Sequence, residues 1–387
     1  MLRIAIIGYG TAGQAAAIAL GRSGRHAIEI FEQTAEAGPI GAGFLLQPTG
    51  LAALARLKLL DQALQLGAPI SRLHGCNARG RRVMNMRYAA WRSDAFGLGM
   101  QRHALFSMLH DALPTSVNLR TGIQIRKLDP ASGFIHDDVG TQYGTYDLII
   151  VADGSRSQMR TQVFGDSSAR LYPWGAWWCL VSAKDWPQHD SLEQRYRLAR
   201  EMVGVLPVGR LPGQADVDDK LCVYWSVRSD EAPQGHNSHD IASKVAPLWP
   251  QAADHLRQQT AAELTHATYR AIRMPRWTQQ RAVWIGDSAH GMSPQLGQGA
   301  NLALLDALAL ADAIDAQPDL ATALKQYEKV RRTHVRWYSL GSHWLTPLFQ
   351  SEHDTVARLR DLFFDPLSRL PIIRQISLQL LTGSLGA

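Results

Sequence analysis

The chain has 387 residues, of which 46% are hydrophobic and 19% charged, and its formal net charge is +6. The length predicts two domains, and the composition is globular, which excludes a disordered chain. Lysines and arginines are scattered rather than gathered in a long run, which argues against a nucleic-acid partner. The positive potential instead favours encounter with an anionic nicotinamide cofactor or a carboxylate substrate.

The three cysteines, Cys76, Cys179 and Cys222, are odd in number and widely spaced. They fit neither a disulfide framework nor a metal site, so we expect a reducing, cytoplasmic location and no bound metal. Residues 1–20 superficially resemble a signal peptide, but three glycines interrupt the apolar stretch and it is too short to span a bilayer. We interpret it as the first strand and helix of the fold.

The first predicted unit is a strand, a glycine-rich turn and a helix. Arg3–Ile7 is a short apolar run typical of a buried parallel strand. The turn Gly8-Tyr9-Gly10-Thr11-Ala12-Gly13 follows, and then an alanine-rich helix through Leu20. His26–Glu32 predicts the next strand, which ends in an acid. This order predicts a dinucleotide site, whereas the turn alone would fit any α/β fold.

Each part of this unit has a physical task in binding a dinucleotide. Gly8 permits the tight turn, Gly10 lets the backbone approach a pyrophosphate, and Gly13 lets helix and strand pack closely. The helix N-terminus offers free N–H groups to the phosphates. Glu32 would accept hydrogen bonds from ribose hydroxyls and would disfavour a 2′-phosphate, so FAD or NAD suits the site better than NADP.

Two more predicted strands end in an acidic residue. Asp147–Ala152 leads to Asp153, and Ala282–Ile285 leads through a glycine to Asp287. Ligands of open parallel sheets bind at the carboxyl ends of the strands, so both acids are placed to meet a cofactor. The alternatives are that Asp153 belongs to an ordinary turn and that Asp287 is an N-cap or turn residue.

A loop with three glycines and a proline, Gly291–Gly299, leads into a predicted apolar helix, Ala300–Ala313. The amides at the start of this helix could stabilise negative charge on a bound ring system, although the loop could also be a mere connection. A histidine of this segment, His290, is expected to brace the loop rather than transfer a proton.

Together the segments resemble the single-component FAD aromatic hydroxylases, the superfamily of p-hydroxybenzoate, salicylate and quinolone hydroxylases. Those proteins carry G-x-G-x-x-G near the start, D-G in mid-chain and G-D-A-A-H-x-x-x-P-x-x-G-Q-G-x-N near the end. This chain has G-D-S-A-H-G-M-S-P-Q-L-G-Q-G-A-N, with Ser288 in place of a common alanine. Pro39–Leu57 and Gly99–Leu109 are similar as well, and the resemblance covers most of residues 1–165 and 275–335.

The resemblance implies a set of cofactor contacts in this chain. They are Gly8, Gly10, Thr11, Ala12, Gly13, Glu32, Gln33, Gly43, Arg102, Asp153, Asp287, Pro294, Gly297, Gly299, Ala300 and Asn301. Arg102 would reach the phosphate-ribityl portion of FAD, Asp287 the ribityl chain, and Asp153 the face where the nicotinamide cofactor arrives. The segment Pro294–Asn301, called the ring loop below, would lie along the flavin ring, with its amides near Gly299 to Asn301 at the N1–O2 edge and Pro294 near the site of oxygen attachment. Pro294 and Gly299 are the predicted catalytic positions, and no acid or base is assigned.

The implied fold is α/β: a Rossmann-like FAD-binding domain, an inserted, mainly β-sheet substrate domain and a helical C-terminus. The FAD-binding domain would comprise residues 1–70, 99–165 and 275–335, and the substrate domain 71–98 and 166–274. Alternating stretches at Trp177–Ser182 and Leu221–Val227 predict strands there. Most of its tryptophans are expected in the core, with one or two lining a pocket for a flat substrate. Tyr224 and Trp225 are the substrate candidates.

The last segment, 336–387, is predicted to be helical and to follow a long helix over Tyr327–Leu348. Leu359–Leu381 is apolar at many helical positions and contains arginines, so peripheral contact with a membrane is one interpretation. A helix docked on the protein's own core or on a dimer partner is the favoured one, because Pro366 and Pro371 are expected to break the stretch. No integral membrane segment is predicted, and both a monomer and a homodimer are compatible with the sequence.

The implied activity is that of a flavoprotein monooxygenase. NADH or NADPH would reduce FAD, and O2 would then give a flavin C4a-hydroperoxide that hydroxylates a small aromatic or heteroaromatic substrate. The alternatives are an FAD-dependent halogenase, an oxidoreductase that avoids oxygen, and a non-catalytic flavin-binding redox sensor. The halogenase motif W-x-W-x-I-P is not matched by the nearest string, Tyr172–Cys179.

Overall fold

The computed structural model describes residues 1–36, 38, 43–165, 169–214, 218–230 and 237–386; residues 39–42, at the start of the similar segment 39–57, lie outside the described residues. The strands are β1 Arg3–Ile7, β2 Ala27–Phe31, β3 Gly43–Leu46, β4 Ala68–Ile70, β5 Arg72–Asn77, β6 Arg82–Arg87, β7 Gly97–Gln101, β8 Val117–Arg120, β9 Ile125–Asp129, β10 Phe134–Asp137, β11 Gln142–Tyr143, β12 Leu148–Val151, β13 Ala169–Ser182, β14 Ser191–Arg197, β15 Glu201–Gly209, β16 Lys220–Arg228, β17 Thr265–Ile272, β18 Thr278–Gln279 and β19 Ala282–Trp284. The helices are α1 Thr11–Gly21, α2 Pro48–Arg56, α3 Leu60–Leu66, α4 Arg102–Asp111, α5 Gln158–Phe164, α6 Ser238–Val245, α7 Pro250–Gln258, α8 Asp287–His290, α9 Gly299–Ala316, α10 Leu320–Phe349, α11 Asp354–Ser368 and α12 Pro371–Thr382.

A six-stranded sheet in the order β18-β19-β12-β1-β2-β8 forms the first half of the molecule. β19, β12, β1, β2 and β8 pair in parallel, while β18 pairs antiparallel at the edge. The central strands are completely buried, and α1 and α9 pack against each other on this sheet's core. Because the strands are parallel, the carboxyl ends of β1, β12 and β19 meet at one edge, where ligands of such sheets bind.

A seven-stranded mixed sheet in the order β17-β13-β16-β15-β14-β5-β6 forms the second half. Side chains alternate between its two faces, as they must along any strand. One face packs against α6 and α7 around buried tryptophans, among them Trp186 and Trp249. The other face, which includes Cys222 and Tyr224, packs toward β3 and the end of α12. Most of the tryptophans are therefore core residues, as the composition of this region predicts.

The predicted fold class is confirmed: a mixed α/β chain with a parallel-sheet FAD-binding fold, a second sheet and a helical C-terminus. The seven strands of the second sheet come from two stretches of the chain, residues 72–87 and 169–272. Between these stretches the chain forms β8 and β12 of the six-stranded sheet. The exact domain boundaries stay a prediction.

The C-terminal helices correct one prediction. Pro366 does not break the helix but lies inside α11, which continues to Ser368. Proline removes the N–H that would bond to the carbonyl four residues earlier, and the Leu362 carbonyl instead accepts a hydrogen bond from Arg81 Nη2 at 3.3 Å. The break falls just before Pro371, which occupies the first turn of α12. Within the described residues, no helix combines the length and apolar character that crossing a membrane requires.

Candidate functional site

The turn after β1 has the geometry that its glycines predict. Gly8 has a φ of +104°, and a Cβ added there would lie 2.5 Å from the Ala152 carbonyl oxygen. A Cβ at Gly13 would lie 2.1 Å from the Gly8 oxygen. By contrast, a Cβ at Gly10 would meet nothing within 4 Å, although α1 begins with Thr11 immediately after it. Gly8 and Gly13 are thus required by the protein itself, and Gly10 borders an open space at the helix N-terminus.

Glu32, directly after β2, points toward this turn. Its Oε2 accepts a hydrogen bond from the Tyr9 amide at 3.0 Å, and its Oε1 accepts one from the Thr34 amide at 2.9 Å. Gln33 is exposed, and its side-chain oxygen accepts a hydrogen bond from Gln124. A carboxylate therefore lies next to the glycine turn, where a ribose acceptor is needed, while Gln33 lies on the outer surface.

Asp153, two residues after the end of β12, carries a buried oxygen that lacks a partner among the described residues. The Oδ1 atom has no hydrogen-bond partner among the described residues. Burial raises the pKa of Asp153 to about 6, against the opposing effects of Ser157 and the Arg160 charge. Because an orphaned buried acceptor costs free energy, this oxygen marks a place where a ligand donor would fit.

Asp287 opens α8 after β19 and is exposed. A Cβ built on Gly299 would lie 3.8 Å from Asp287 Oδ1, so this carboxylate faces the start of α9. The preceding residue, Gly286, has a φ of +60° and approaches Ala12 of α1, where a Cβ would lie 3.0 Å from the Ala12 side chain. The tight packing of glycine and alanine brings the first and third sequence motifs together.

The predicted ring loop ends in free amide groups. A 3₁₀ turn begins at Pro294 and closes at Gly297, whose φ is +60°. The amide of Leu302 donates to the Gln298 carbonyl at 2.9 Å, which is the first backbone bond of α9. The amides of residues 299–301 therefore precede the hydrogen-bonded ladder of the helix, and this is where a helix best binds negative charge.

Asn301 is fully buried, and its side chain is used by the protein. Its Oδ1 accepts a hydrogen bond from the Gln47 amide at 2.8 Å, and its Nδ2 donates to the Gly297 carbonyl at 3.2 Å. A Cβ at Gly50 would lie 2.0 Å from Asn301 Oδ1, so α2 approaches this side chain very closely. Asn301 thus fixes the loop through its side chain, which leaves its amide, with that of Ala300, as the group free for a ligand.

A buried ionic cluster ties α8, the short helix before the ring loop, to α9, the helix that follows it. His290 Nε2 lies 2.5 Å from Asp306 Oδ2, Arg331 Nε donates to Asp306 Oδ1 at 2.7 Å, and the Gly286 amide donates to Oδ2 at 2.8 Å. Burial raises the pKa of the Asp306 carboxyl, but the charges of His290 and Arg331 outweigh this effect and hold it well below its ordinary value. The buried position of His290 and its contact with Asp306 agree with the predicted bracing role. Ser288, which replaces the common alanine of the motif, is accommodated here because its hydroxyl donates to the Val151 carbonyl at 2.7 Å.

Arg102 begins α4, whose inner face is buried at Leu105 and Leu109. The Arg102 guanidinium lies 5.7 Å from the centre of the Phe44 ring. Its charge opposes the effect of burial, which raises the pKa of Tyr269 to about 12. Gly43 lies close by: a Cβ there would be 2.7 Å from the Val208 side chain. Arg102 therefore lies where the two sheets approach each other.

The two predicted substrate residues lie on opposite faces of β16. Tyr224 faces the FAD-binding half, contacts Trp178 with 4.8 Å between ring centres, and has its hydroxyl 2.5 Å from Gln194 Nε2. Trp225 belongs to the core under α6 and α7, and its Nε1 donates to Glu201. Adjacent residues of a strand cannot face the same side, so the structure brings only Tyr224 toward the site.

A polar network that the sequence analysis did not identify joins the ring loop to the second sheet. Gln295 donates to the Tyr172 hydroxyl at 2.8 Å and to Gln350, and Gln350 donates to Ser226 at 2.6 Å. Gln295 Oε1 is buried and has no hydrogen-bond partner within the part of the chain that the structure describes. The glutamine lies inside the recognised motif and could have been found, but its partners, up to 178 residues apart, carry no signal in the sequence.

Comparisons with known proteins identify the family of the chain. The model of the FAD binding domain family matches residues 1–338. The chain is 26% identical over 370 residues to aurachin C monooxygenase/isomerase of Stigmatella aurantiaca, covering 93% of each protein. It is 29% identical over 376 residues to 2-heptyl-3-hydroxy-4(1H)-quinolone synthase of Pseudomonas aeruginosa, covering 89% of this chain and 92% of that protein.

Solved structures with the same fold include Klebsiella pneumoniae HpxO complexed with FAD and uric acid. It has a TM-score of 0.81 and 21% identity, and the match covers 99% of this chain and 98% of that one. P. aeruginosa PqsL in complex with 2-aminobenzoylacetate has a TM-score of 0.79 and 20% identity, covering 94% of this chain and 99% of that one. At this identity the likeness establishes the fold.

Proposed function

The chain belongs to the FAD binding domain family and is a flavoprotein monooxygenase, and from that premise we propose that it consumes NAD(P)H and hydroxylates a small aromatic or heteroaromatic substrate. One observation carries the proposal. The glycine turn, Asp287 and the free amides of α9 converge at one edge of the parallel sheet, and the edge faces the second sheet through Arg102 and Phe44.

The residues present fit FAD. Open space beside Gly10 leaves room for a pyrophosphate at the N-terminus of α1. Glu32 would bind the adenosine ribose, Arg102 the phosphate-ribityl portion and Asp287 the ribityl hydroxyls. The unpartnered Asp153 oxygen would accept a hydrogen bond in the same region. An acid, a cation and free amides are the donors and acceptors that a dinucleotide requires.

Bound FAD supplies the redox chemistry, and the residues of the chain determine where it takes place. The amides of residues 299–301 would stabilise negative charge at the N1–O2 edge of the ring, and Pro294 would lie near the position where oxygen reacts. The buried Asp306 cluster fixes α9 against α8, so the helix that carries these amides is held in position before the reaction begins. Aromatic side chains of the second sheet, Trp178 and Tyr224, would exclude water from the reacting ring.

NAD(P)H as reductant is supported by the arginines around Asp153. Arg156 is exposed and donates to Thr268 on β17, and the charges of Arg160 and Arg270 act on one another. Such a group of cations favours the approach of an anionic nicotinamide cofactor. A reducing, cytoplasmic location is supported by the buried free thiols of Cys76, Cys179 and Cys222.

The substrate class is supported by the side chains of the second sheet and the ring loop that face the proposed flavin site. Tyr224 and Trp178 provide flat apolar surfaces, while Gln295, at the end of a buried polar network, provides an unpartnered acceptor for a ring N–H or O–H group. The relative named 2-heptyl-3-hydroxy-4(1H)-quinolone synthase has a product of this kind, a substituted heteroaromatic ring. A pocket of apolar walls with few polar groups selects a small ring and fixes its orientation.

The test uses the purified holoenzyme with NADH or NADPH, O2 and a panel of phenols and N-heteroaromatics. Consumption of the nicotinamide cofactor should rise with a substrate, and the product should be one oxygen atom heavier. Turnover only without oxygen and with another electron acceptor would contradict the proposal in favour of a reductase. Halide incorporation would indicate a halogenase, and flavin reduction without any product would indicate a redox sensor.

A further inference from the structure

Helices α11 and α12 meet at a corner of the molecule where large apolar side chains are exposed. We call residues 358–376 the exposed corner. Its exposed apolar side chains are Leu359, Leu362, Phe363, Leu367, Leu370, Ile372, Ile373 and Ile376. Their exposed fractions run from 37% at Ile373 to 74% at Ile372. Contiguous apolar surface of this kind is unusual on a monomer and marks a site of interaction.

The corner is held firmly by the rest of α12. Leu378 and Leu381 are buried, and Gln298 from the ring loop donates to the Leu381 carbonyl at 2.8 Å. His334 of α10 lies 2.9 Å from the Gly383 carbonyl. The second half of α12 is therefore anchored, whereas residues 371–376 are exposed in every direction around the helix. The first half of α12 projects from the body of the protein.

The charges of the corner point to an anionic partner. Arg358, Arg369 and Arg374 are exposed. The two acids of the segment are turned inward: Asp361 accepts hydrogen bonds from Asn77 and Arg360, and Asp365 pairs with Arg82 and Arg369. Their side chains are only 12% and 9% exposed, respectively. The outer surface thus combines apolar side chains with arginines and carries no exposed carboxylate within residues 358–376.

We propose that the exposed corner docks on the surface of an anionic phospholipid bilayer. A projecting helix turn with isoleucines can insert between headgroups, while the arginines remain at the headgroup level with their apolar stems buried. A second copy of this chain is the less suitable partner, because a two-fold interface would bring the arginines of the two corners together. The docking places the protein on the membrane without a spanning segment and is independent of the chemistry at the site.

The experiment is cosedimentation of the full-length holoenzyme with lipid vesicles. One set consists of phosphatidylcholine alone, and the other of phosphatidylcholine and phosphatidylglycerol in equal parts. The protein should sediment with the anionic vesicles, and high salt should release it. Ile372→Asp should lower the partition coefficient at least about tenfold because it removes apolar insertion. Arg374→Gln should lower it about fivefold, the effect of one basic residue at an anionic surface.

Two matched controls lie elsewhere on the surface. Val139 is 82% exposed in the turn between β10 and β11, and Arg25 is an exposed arginine paired with Asp315. Val139→Asp and Arg25→Gln should leave vesicle binding within about twofold of the original protein. Since all four side chains are exposed, the variants should keep their FAD, which is read from the flavin absorbance of each preparation.

Two results would overturn the proposal: no binding to anionic vesicles, or equal loss of binding in the control variants. If vesicles do not bind and Ile372→Asp dissociates a dimer in solution, the corner is the contact with a second copy instead. The assay contains no substrate and no NAD(P)H. Its failure is therefore distinguishable from failure of the proposed hydroxylation, which is read from product mass.

Discussion

The two sheets build their parts of the site by different means. At the edge of the six-stranded sheet, the site consists largely of backbone: turns at Gly8 and Gly286 and the free amides that open α9. On the seven-stranded sheet it consists of side-chain networks, in which Tyr224 meets Gln194 and Gln295 meets Tyr172. Backbone geometry depends on a few adjacent residues and leaves a motif, whereas side-chain networks join distant residues and leave none. Substitutions in each region should therefore have different consequences.

The largest loss of stability is expected from substitution of Asp306, the buried carboxylate that ties α8 to α9. Asp306→Ala leaves His290 and Arg331 buried without their partner, which should lower the free energy of unfolding by about 3–5 kcal/mol. Urea denaturation of the apoprotein measures this loss. Asp312→Ala on the exposed side of the same helix is the control, since its pair with Arg56 is largely exposed. A loss below about 1 kcal/mol would mean that the loop is held by other contacts.

The two glycines of the first turn should separate folding from cofactor binding. Gly8→Val collides with the Ala152 carbonyl in a left-handed conformation and should destabilise the apoprotein by about 3 kcal/mol. A Cβ added at Gly10 meets no atom of the described residues within 4 Å, so we expect the Gly10→Val apoprotein to unfold near its original temperature while FAD affinity falls about a hundredfold. Thermal unfolding and flavin titration measure the two effects. Full FAD occupancy in Gly10→Val would refute the assignment of this turn to the pyrophosphate.

His334 should make the stability of the apoprotein depend on pH. Burial and then the Arg331 charge lower the pKa of His334 from 6.5 to about 4 in the folded protein. The unfolded chain therefore binds more protons between these values, so stability is complete above about pH 6.5 and is lost as the pH falls through 4. The loss should reach up to about 3 kcal/mol. His334→Gln should flatten this part of the curve; an unchanged slope would assign it to other groups.

The smallest effects are expected from substitutions on the seven-stranded sheet. There Tyr224 and Trp225 lie on opposite faces, and only the variant on the substrate side should change the KM. Tyr224→Phe removes the hydroxyl that meets Gln194, which should cost about 1 kcal/mol of stability and raise the KM of the substrate severalfold. Trp225→Phe should leave the KM unchanged, because its side chain packs under α6 and α7 on the face opposite the site. Both variants should retain FAD. Equal changes of KM in the two would contradict the assignment of Tyr224 to the substrate side.

Prediction from the sequence was most successful where local geometry determines the outcome. The strands ending at Ile7 and Val151 and the helix after Gly299 follow from apolar runs and glycine positions. The prediction that both Tyr224 and Trp225 contact the substrate overlooked that adjacent residues of a strand face opposite sides. The break expected at Pro366 was wrong, because Arg81, distant in the sequence, supplies a hydrogen bond to a carbonyl that the proline leaves free.

The sequence by itself determined the cofactor class and the position of its motifs, because a turn such as Gly8–Gly13 contains within six residues the freedom and space that a phosphate needs. Only the tertiary structure decided which side chains complete the site. Tyr172 and Gln350 reach Gln295 of the ring loop from elements far apart in the chain, and Arg331 of the long α10 reaches Asp306, so these contacts exist only once both sheets and α10 have packed. The same packing buries the acids of the exposed corner and leaves its isoleucines and arginines outside.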